Sequence, residues 1–484
     1  MTVEFLEFHA VERPHAVAVI TDGRPVTFAQ FAADVSRFAQ ALRRLGVRRG
    51  STIAVEHPDV FTHWRLLLAA ERIGASSLSW IADEARGTMP FLAAADLVLS
   101  HQAPPFEWKS RHRSLSDQWM REAAALPEAD PEPAAAWAPE QRLRLLRSSG
   151  TTGFPMQLSI TRRLHDARIA TWTWIASLTR RTRLLITLPF TVGGSHSCAT
   201  AVLRIGGTVV IEPTLRVYQS IAARGITLAL LPPLQIKRAL DALPPEFAKP
   251  AELSVFSFGA PLAKNLAERA LARIATDVID LYGSNESGFI SARNPAREEA
   301  IGRVLPGNEV EILGEDGQAL PFGRAGRIRV RNDGLASGYI GEPEASARAF
   351  KDGWFHPSDA AILHGPQSLQ VLGRADEVIN IGWVKLAPES VEAQLLRQVP
   401  VGDAGVCSIP NRDGIEEVCV AASSPRVDDR ELVRLVTGAF AGLQFGRIHV
   451  VKLDRIPRGE DGKILRAALK EAVTAATPLP PPQT

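Results

Sequence analysis

The sequence predicts an α/β fold with a large N-terminal domain of layered α/β subdomains, which includes a β-rich subdomain, and a small α+β domain at the C-terminus. Apolar helical faces alternate with short apolar strands between Val26 and Leu231, the pattern of layered α/β proteins. Short strands with glycine-rich turns replace that alternation near Gly302, and mixed patterning returns after Gly373. A chain of 484 residues also exceeds the size of one ordinary core.

The clearest helix is predicted to begin at Phe28, with Thr27 as its cap. Its apolar face recurs at steps of three and four residues and comprises Phe28, Phe31, Val35, Phe38, Leu42 and Leu45, with Gly46 ending the helix. A strand is predicted over 51–55, and a second helix from about His63 to Ile73. Later segments rich in β-branched and aliphatic residues predict strands over 184–188, 208–211 and 228–231. The Ala-, Pro- and Glu-rich stretch 127–139 is predicted to be a linker or loop.

The change near Gly302, from alternating helices and strands to short strands with glycine-rich turns, sets the predicted domain boundaries. The β-rich subdomain is predicted at about 302–373, with strands over 310–313 and 326–331. The N-terminal domain is placed at 1–375 and the C-terminal domain at 376–475. The proline-rich residues 476–484 are predicted to form a disordered tail.

Composition excludes several classes of protein. The net charge is +2 and arginines are scattered among acids, so nucleic-acid binding has no support. Three cysteines without a CxxC pair do not make a disulfide framework, and the histidines lack metal-ligand spacing. No signal peptide and no apolar run of about 18 residues is found, which predicts a cytoplasmic protein without a membrane span.

One short segment carries the strongest chemical signal: Arg147-Ser148-Ser149-Gly150-Thr151-Thr152-Gly153-Phe154-Pro155. Glycines let a backbone approach a ligand closely, and turned amides with hydroxyls make a cradle for phosphate oxygens. Read alone, such a segment is more often a plain surface loop. It is not the P-loop of kinases and ATPases, because Met156 and Gln157 follow instead of a lysine at that spacing.

Further motifs follow this segment along the chain: Ser257-Phe258-Gly259-Ala260-Pro261, Leu281-Tyr282-Gly283-Ser284-Asn285-Glu286, Gly338-Tyr339, Gly353-Trp354-Phe355-His356-Pro357-Ser358-Asp359, Gly373-Arg374-Ala375-Asp376 and Pro457-Arg458-Gly459-Glu460-Asp461-Gly462-Lys463. Together with the segment 147–155, which takes the place of the phosphate loop, this series resembles the adenylate-forming superfamily of acyl-CoA and aryl-CoA synthetases, adenylation domains and luciferase. The resemblance runs from about residue 10 to residue 470, and the motifs occur in the family's order.

The resemblance implies a nucleotide site that uses ATP and Mg²⁺. The ATP-binding residues would be Ser148, Ser149, Gly150, Thr152, Gly153, Gly259, Ala260, Pro261, Tyr282, Gly283, Asn285, Asp359 and Arg374. Tyr282 would face adenine, Asp359 would accept hydrogen bonds from the ribose hydroxyls, and Glu286 would bind Mg²⁺. The catalytic residues would be Lys463, Thr151 and Glu286, with Lys463 bridging the substrate carboxylate and the α-phosphate.

The same resemblance implies a second half-reaction after the C-terminal domain swings about a hinge near Asp376, which makes that domain mobile. A thiol of CoA, or of phosphopantetheine on an acyl or aryl carrier protein, would then attack the acyl-adenylate. Gly382, Trp383 and Lys385 would line the thiol tunnel. Relatives usually have glycine where Trp383 stands, so we hypothesise that Trp383 narrows or reshapes this tunnel.

The substrate pocket is predicted at Phe190, Thr191, Gly193, Gly194 and Ser195. The small residues among them would leave room for a ring or chain. No aspartate is present to hold an ammonium group, which disfavours an amino acid and favours an aryl or other non-amino carboxylic acid. At Met156, Asn285, Ser358 and Trp383 the sequence departs from the residues that are usual in the superfamily. These departures leave open a second interpretation, a weakly active or non-catalytic ATP-binding homologue. A luciferase-like oxygenase has no support beyond the shared fold.

Overall fold

The structure is a computed structural model that describes residues 1–81, 92, 94–101, 111–148, 156–212, 217–297, 300–374, 379–381, 384–386, 388–423, 425–440, 447–458 and 464–480. The helices in these ranges are α1 (Thr2–Glu12), α2 (Phe28–Arg44), α3 (Val60–Ile73), α4 (Asp117–Ala124), α5 (Arg162–Ile175), α6 (Gly193–Ile205), α7 (Val217–Arg224), α8 (Pro233–Asp241), α9 (Lys264–Arg273), α10 (Pro343–Ala349), α11 (Pro388–Gln398), α12 (Asp429–Ala439) and α13 (Arg466–Ala475).

The strands are β1 (Val17–Thr21), β2 (Arg24–Thr27), β3 (Thr52–Val55), β4 (Ser76–Ser79), β5 (Leu97–Ser100), β6 (Arg111–Ser114), β7 (Arg142–Ser148), β8 (Met156–Thr161), β9 (Arg183–Ile186), β10 (Thr208–Ile211), β11 (Leu228–Leu230), β12 (Ser254–Phe258), β13 (Asp277–Ser284), β14 (Gly288–Arg293), β15 (Gly302–Val304), β16 (Glu309–Leu313), β17 (Ala325–Arg331), β18 (Phe350–Lys351), β19 (Trp354–Phe355), β20 (Asp359–Gly365), β21 (Ser368–Arg374), β22 (Ile379–Ile381), β23 (Val384–Leu386), β24 (Asp403–Pro410), β25 (Glu416–Ser423) and β26 (Ile448–Lys452).

Two sheets with helices between them confirm the predicted layered α/β architecture. One sheet has the strand order β6-β5-β3-β4-β7-β8, and the other contains the parallel strands β1, β10, β9, β11, β12 and β13. A single apolar core takes Ile53 from the first sheet, Leu184 from the second and Val202 from α6. All four residues of β3 and of β10 are buried, as expected for parallel strands covered on both faces.

The strongest local patterns of the sequence are confirmed. Thr27 caps α2, because its side chain accepts a hydrogen bond from the Gln30 amide while the Gln30 side chain accepts one from the Thr27 amide. The apolar face predicted for this helix is buried from Phe28 to Leu42. The loop at 127–139 carries no helix or strand, yet it packs firmly. The Asp130 carboxylate is buried and pairs with Arg43 at 2.5 Å and Arg72 at 3.0 Å.

The segment predicted to be β-rich does consist mainly of strands, from β15 to β21, with the short helix α10 among them. It is not a separate sheet. β14 pairs with both β13 and β15, so the hydrogen-bond ladder runs from the parallel strands directly into the antiparallel ones. The ends of β12 and β13 therefore lie beside the β-rich segment, and this junction contains the site described below.

The described C-terminal residues form a smaller unit that contains the sheet β24-β25-β26, the hairpin β22-β23 and the helices α11, α12 and α13. Residues 477–480 correct the prediction of a disordered tail in part, because the Leu479 amide donates to the Val450 carbonyl at 2.7 Å and the side chain packs on this unit's core. Residues 481–484 lie outside the described chain.

The turn between β24 and β25 joins this unit to the N-terminal part. The Asp413 carboxylate pairs with Arg269 at 2.5 Å and with Lys237 at 3.2 Å, and both cations also pair with Asp241. The apolar side chain of Ile415 is buried with the core around α8 and α9. We call Lys237, Asp241, Arg269 and Asp413 the interdomain quartet.

Candidate functional site

A cleft of about 1100 Å³ opens at the junction between the parallel and antiparallel strands. Its walls include residues that follow β12, the end of β13, the start of β8, and the segment between β19 and β20. Most of the described residues predicted to bind the nucleotide line it, namely Gly259, Ala260, Pro261, Tyr282, Gly283 and Asp359, and so does Glu286, the predicted Mg²⁺ ligand. Motifs that are up to a hundred residues apart in the sequence therefore meet in one cleft.

Gly283 is required by a close approach of two backbones. β13 and β14 pair antiparallel with a register shift between Tyr282 and Gly283. A Cβ atom at Gly283 would lie 2.2 Å from the Gly288 carbonyl oxygen and 2.7 Å from the Phe289 Cα. Both contacts are with backbone, so a side chain here would force the hairpin apart and move the cleft wall.

The Glu286 carboxylate lies in the turn after β13 and is 7% exposed. Its Oε1 accepts a hydrogen bond from the Tyr339 hydroxyl at 3.1 Å, and its backbone carbonyl accepts one from the Ala336 amide at 2.9 Å. Within the described chain the carboxylate makes no ion pair. A carboxylate that faces a cleft with an uncommitted oxygen fits Mg²⁺, which is commonly held by one or two carboxylates together with substrate phosphates.

Asp359 and Arg374 are placed side by side by the sheet. Their Cα atoms are partners in the β20–β21 ladder, and the Arg374 side chain lies outside the described atoms. One oxygen of Asp359 accepts a hydrogen bond from the Tyr282 hydroxyl at 2.7 Å. The other carboxylate oxygen remains to accept from a ribose. Tyr282 thus holds Asp359 in addition to offering its ring to the cleft.

Asn285 is positioned differently from its neighbours. Its side-chain amide donates to the Arg147 carbonyl at 2.9 Å and does not line the cleft. It therefore ties the turn after β13 to the strand that enters the predicted phosphate loop. Ser148, at the end of that strand, is buried, and its hydroxyl has no hydrogen-bond partner among the residues that the structure describes.

Several predicted site residues lie outside the described chain: Ser149, Gly150, Thr151, Thr152, Gly153, Gly382, Trp383 and Lys463. Lys385 lies in β23, where only the backbone is described. Met156 follows the phosphate-loop segment and lines the cleft with an apolar side chain.

The residues of the predicted substrate pocket lie apart from the described lining of this cleft. None of its five residues is among the cleft's described lining. The room expected at its glycines is already taken: a Cβ at Gly194 would lie 3.0 Å from the Phe258 ring, and one at Gly193 would lie 2.8 Å from Asn285. Thr191 is half-buried, and the Ser195 hydroxyl donates to the Leu188 carbonyl at 3.0 Å. The expectation of open space there is therefore wrong for this arrangement of the side chains.

A buried polar cluster behind Phe190 was not expected from the sequence. Arg144 donates to the Ser79 hydroxyl at 2.9 Å and to the Phe190 carbonyl at 3.1 Å. Burial lowers the pKa of Arg144 to about 9. Burial and then the Arg144 charge lower the pKa of His63 to about 3, and burial also holds the pKa values of His165 and His196 well below their usual value. These histidines are therefore neutral at pH 7.

In the sequence, Tyr339 belongs to the Gly338-Tyr339 motif, and that motif does not predict its hydrogen bond to Glu286. The signal was weak, because the two residues are 53 positions apart. Arg168 was missed for the same reason. Its buried guanidinium donates to the carbonyls of Asn285 and Gly334 at 2.8 and 3.3 Å, directly behind Glu286.

No helix in the described part of the chain is both long and apolar enough to cross a membrane. Among the same residues, no group of three or more His, Cys, Asp or Glu side chains is arranged to hold a metal ion. All three cysteines are free and buried.

Comparison with known proteins gives consistent similarities. A family model described as AMP-binding enzyme matches residues 6–340. The indoleacetate–CoA ligase of Aromatoleum aromaticum is 28% identical, and the match covers 98% of each chain. The 4-coumarate–CoA ligase 5 of Oryza sativa is 27% identical over 94% of this chain and 91% of its own. The o-succinylbenzoate CoA synthetase of Bacillus subtilis has a similar fold, with a TM-score of 0.81 at 23% identity over 98% of this chain and 99% of its own.

Proposed function

We propose a reaction for this chain, which belongs to the AMP-binding enzyme family and which brings the carboxylates of Glu286 and Asp359, predicted to bind the nucleotide and its metal, to one cleft. The resemblance to the adenylate-forming superfamily is thereby confirmed, and the chain is an AMP-forming acid–thiol ligase. In the first half-reaction, a carboxylate oxygen attacks the α-phosphorus of ATP and pyrophosphate leaves, which gives an acyl-adenylate. In the second, a thiol attacks the acyl carbon and AMP leaves.

The observation that carries the proposal is the pair of fixed carboxylates in one cleft. Asp359 is held by Tyr282 and is next to Arg374 across the ladder, a geometry suited to a ribose. Glu286 is held by Tyr339 at the same cleft. Mg²⁺ bound to Glu286 and to phosphate oxygens would offset the charge of the phosphates.

Two anions must meet in the first half-reaction, so positive charge and hydrogen-bond donors are needed where they meet. The amides and hydroxyls of 148–153 and the Lys463 ammonium group are proposed to supply them. No side-chain nucleophile is needed, because positioning and electrostatics are sufficient for this class of transfer.

For the acid, we propose an aryl or other non-amino carboxylic acid. The pocket segment contains no acidic residue that could hold an ammonium group. The Phe258 ring over Gly194 offers an apolar face on which an aromatic acid could stack after the ring turns aside. The names of the Aromatoleum and Oryza ligases give indoleacetate and 4-coumarate as their acids, and both carry an aromatic ring, which supports an aromatic non-amino acid here.

For the thiol, we propose CoA as the acceptor, which is the acceptor in the names of those relatives. Pantetheine on a carrier protein remains the alternative, because Asn380 and Lys385 resemble residues of aryl-acid enzymes that load carrier proteins. We expect a cytoplasmic enzyme on the sequence evidence given above.

The test is a pyrophosphate-release screen of aryl, aliphatic and amino acids, followed by thioester detection with CoA and with a phosphopantetheinylated aryl carrier protein. We expect release that depends on an aryl acid, and loss of release in Lys463→Met. Lys249→Met is the matched control, because Lys249 is exposed and donates only to the Leu271 carbonyl. Absence of acid-dependent release over the whole panel would instead support a non-catalytic ATP-binding homologue.

A further inference from the structure

Two of the three tyrosines in the chain donate to a carboxylate at the cleft. The Tyr282 hydroxyl donates to the Asp359 carboxylate, and the Tyr339 hydroxyl donates to the Glu286 carboxylate. A phenol can donate one hydrogen bond to a carboxylate and leave the second oxygen uncommitted. The two pairs therefore orient the cleft's anionic groups without neutralising them, in contrast to the arginine that pairs with Asp280 nearby.

The position of Tyr339 is fixed by its surroundings. Its amide donates to the Ser346 hydroxyl at 2.8 Å, and its ring packs against Phe350 with centroids 5.3 Å apart. Its backbone also forms a β-bridge with Leu158, and the next amide, that of Ile340, donates to the Gln157 carbonyl at 2.8 Å. The hydroxyl therefore meets Glu286 from a backbone that is held on two sides.

These contacts connect two parts of the site. Gln157 and Leu158 belong to β8, the strand that leaves the predicted phosphate loop, and Met156 at the start of β8 lines the cleft. Tyr339 thus spans from the exit of that loop to the Glu286 carboxylate. A displacement of β8 would therefore move the Tyr339 hydroxyl relative to the Glu286 carboxylate that it donates to.

We propose that Tyr339 is a positioning residue that fixes the Glu286 carboxylate relative to β8, so that one oxygen is ready for a divalent cation carried by a nucleoside triphosphate. The inference rests on the proposed function, because it takes ATP with Mg²⁺ as the ligand. It goes further by assigning the ordering of that site to a residue outside the motif that contains Glu286.

The test measures binding rather than turnover. Calorimetry with a non-hydrolysable ATP analogue would give the nucleotide affinity in EDTA and the apparent Mg²⁺ affinity at saturating nucleotide. In Tyr339→Phe we expect the apparent Kd for Mg²⁺ to rise about tenfold, since a hydrogen bond to a charged group is lost. Nucleotide binding in EDTA should be unchanged, and the phenylalanine ring keeps the contact with Phe350.

Glu286→Asp is the second variant, because the shorter side chain draws the carboxylate away from a tyrosine that is left in place. It should raise the apparent Kd for Mg²⁺ to a similar extent. Tyr218→Phe is the matched control, since Tyr218 packs near Phe247 and does not line the cleft. It should bind Mg²⁺ as the wild type does.

The results of these measurements distinguish the positioning role of Tyr339 from the proposed function. Unchanged Mg²⁺ affinity in Tyr339→Phe, with normal Mg²⁺-dependent binding by the wild type, would overturn the positioning role and leave the proposed function standing. Absence of Mg²⁺-dependent nucleotide binding in the wild type would overturn the proposed function, and this inference with it.

Discussion

Removal of the Asp413 charge should change the balance between the two half-reactions. Asp413 contributes both ion pairs that cross from the C-terminal unit to the N-terminal part within the interdomain quartet, at 2.5 Å to Arg269 and 3.2 Å to Lys237. In Asp413→Asn the shape is kept and both pairs are lost. Lys237 and Arg269 retain Asp241 as a partner, so neither cation is left without an acid.

The size of the effect follows from exposure. The side chains of Asp413 and Arg269 are 20% and 41% exposed, and partly exposed pairs contribute at most about 1 kcal/mol each. The two pairs together should therefore favour the docked arrangement by roughly 1 kcal/mol, which corresponds to about a fivefold change in its population. The effect should decline in 0.5 M salt, because the pairs are accessible to screening.

Single-turnover kinetics provide the assay, with acid-dependent pyrophosphate exchange for the first half-reaction and thioester formation from purified acyl-adenylate for the second. Lys463 is proposed to serve only the first, so a change in docking should move the two rates in opposite directions. We expect the ratio of the two rates to change about fivefold. Glu431→Gln is the charge-matched control, since Glu431 pairs with Arg434 inside the C-terminal unit. An unchanged ratio in Asp413→Asn, or an equal change in the control, would refute the reasoning.

Three other predictions concern the cleft, the buried histidines and the thiol tunnel. Gly283→Ala should abolish nucleotide binding and lower the melting temperature, since its Cβ would lie 2.2 Å from a backbone oxygen; wild-type binding would contradict this. Because burial lowers the pKa of His63 to about 3, the unfolded state binds a proton more readily below pH 6.5, and stability should fall there by up to about 1.4 kcal/mol per pH unit. His63→Gln should lessen that fall in the urea midpoint between pH 7.5 and pH 5, and equal slopes would argue against it. Trp383→Gly should alter thioester yield with pyrophosphate exchange unchanged, and an unaltered yield would remove the idea of a narrowed tunnel.

Local patterns predicted the elements and most of the cleft. The helix from Phe28 and its cap at Thr27 depend on contacts between residues that are three or four positions apart. The sequence alone is therefore enough to predict them. The motif series also named Tyr282, Glu286 and Asp359, which the structure brings into one cleft, while their roles stay predictions. Each of these lies at or beside the end of a strand, where a sheet brings distant segments together.

The failures concern contacts between distant segments. Small residues at 193 and 194 predicted space, but the space beside a glycine belongs to whichever side chain packs there, and the Phe258 ring comes from another strand. The stretch 127–139 has the composition of a linker, yet Arg43 and Arg72 from two helices hold Asp130 within it. The contact between Tyr339 and Glu286 likewise depends on distant segments. Ser346 of α10 and the strand β8 hold the Tyr339 backbone in place.

The charge of the cleft explains why the docking of the C-terminal unit should matter for catalysis. Met156, which directly follows the predicted phosphate loop, contributes an apolar side chain to the cleft. Arg293 and Arg329, which also line the cleft, already pair with Asp280 and Glu311 at 2.7 and 2.5 Å. Arg327, Arg348 and Lys351 also line the cleft, and in the proposed reaction Lys463 and the cation at Glu286 add to this positive charge where the two anions meet. The contribution of Lys463 depends on where the C-terminal unit docks, and that of the cation depends on how Tyr339 holds Glu286. Asp413→Asn and Tyr339→Phe should therefore act on separate conditions of the same step, and their free-energy effects on the adenylation rate should add.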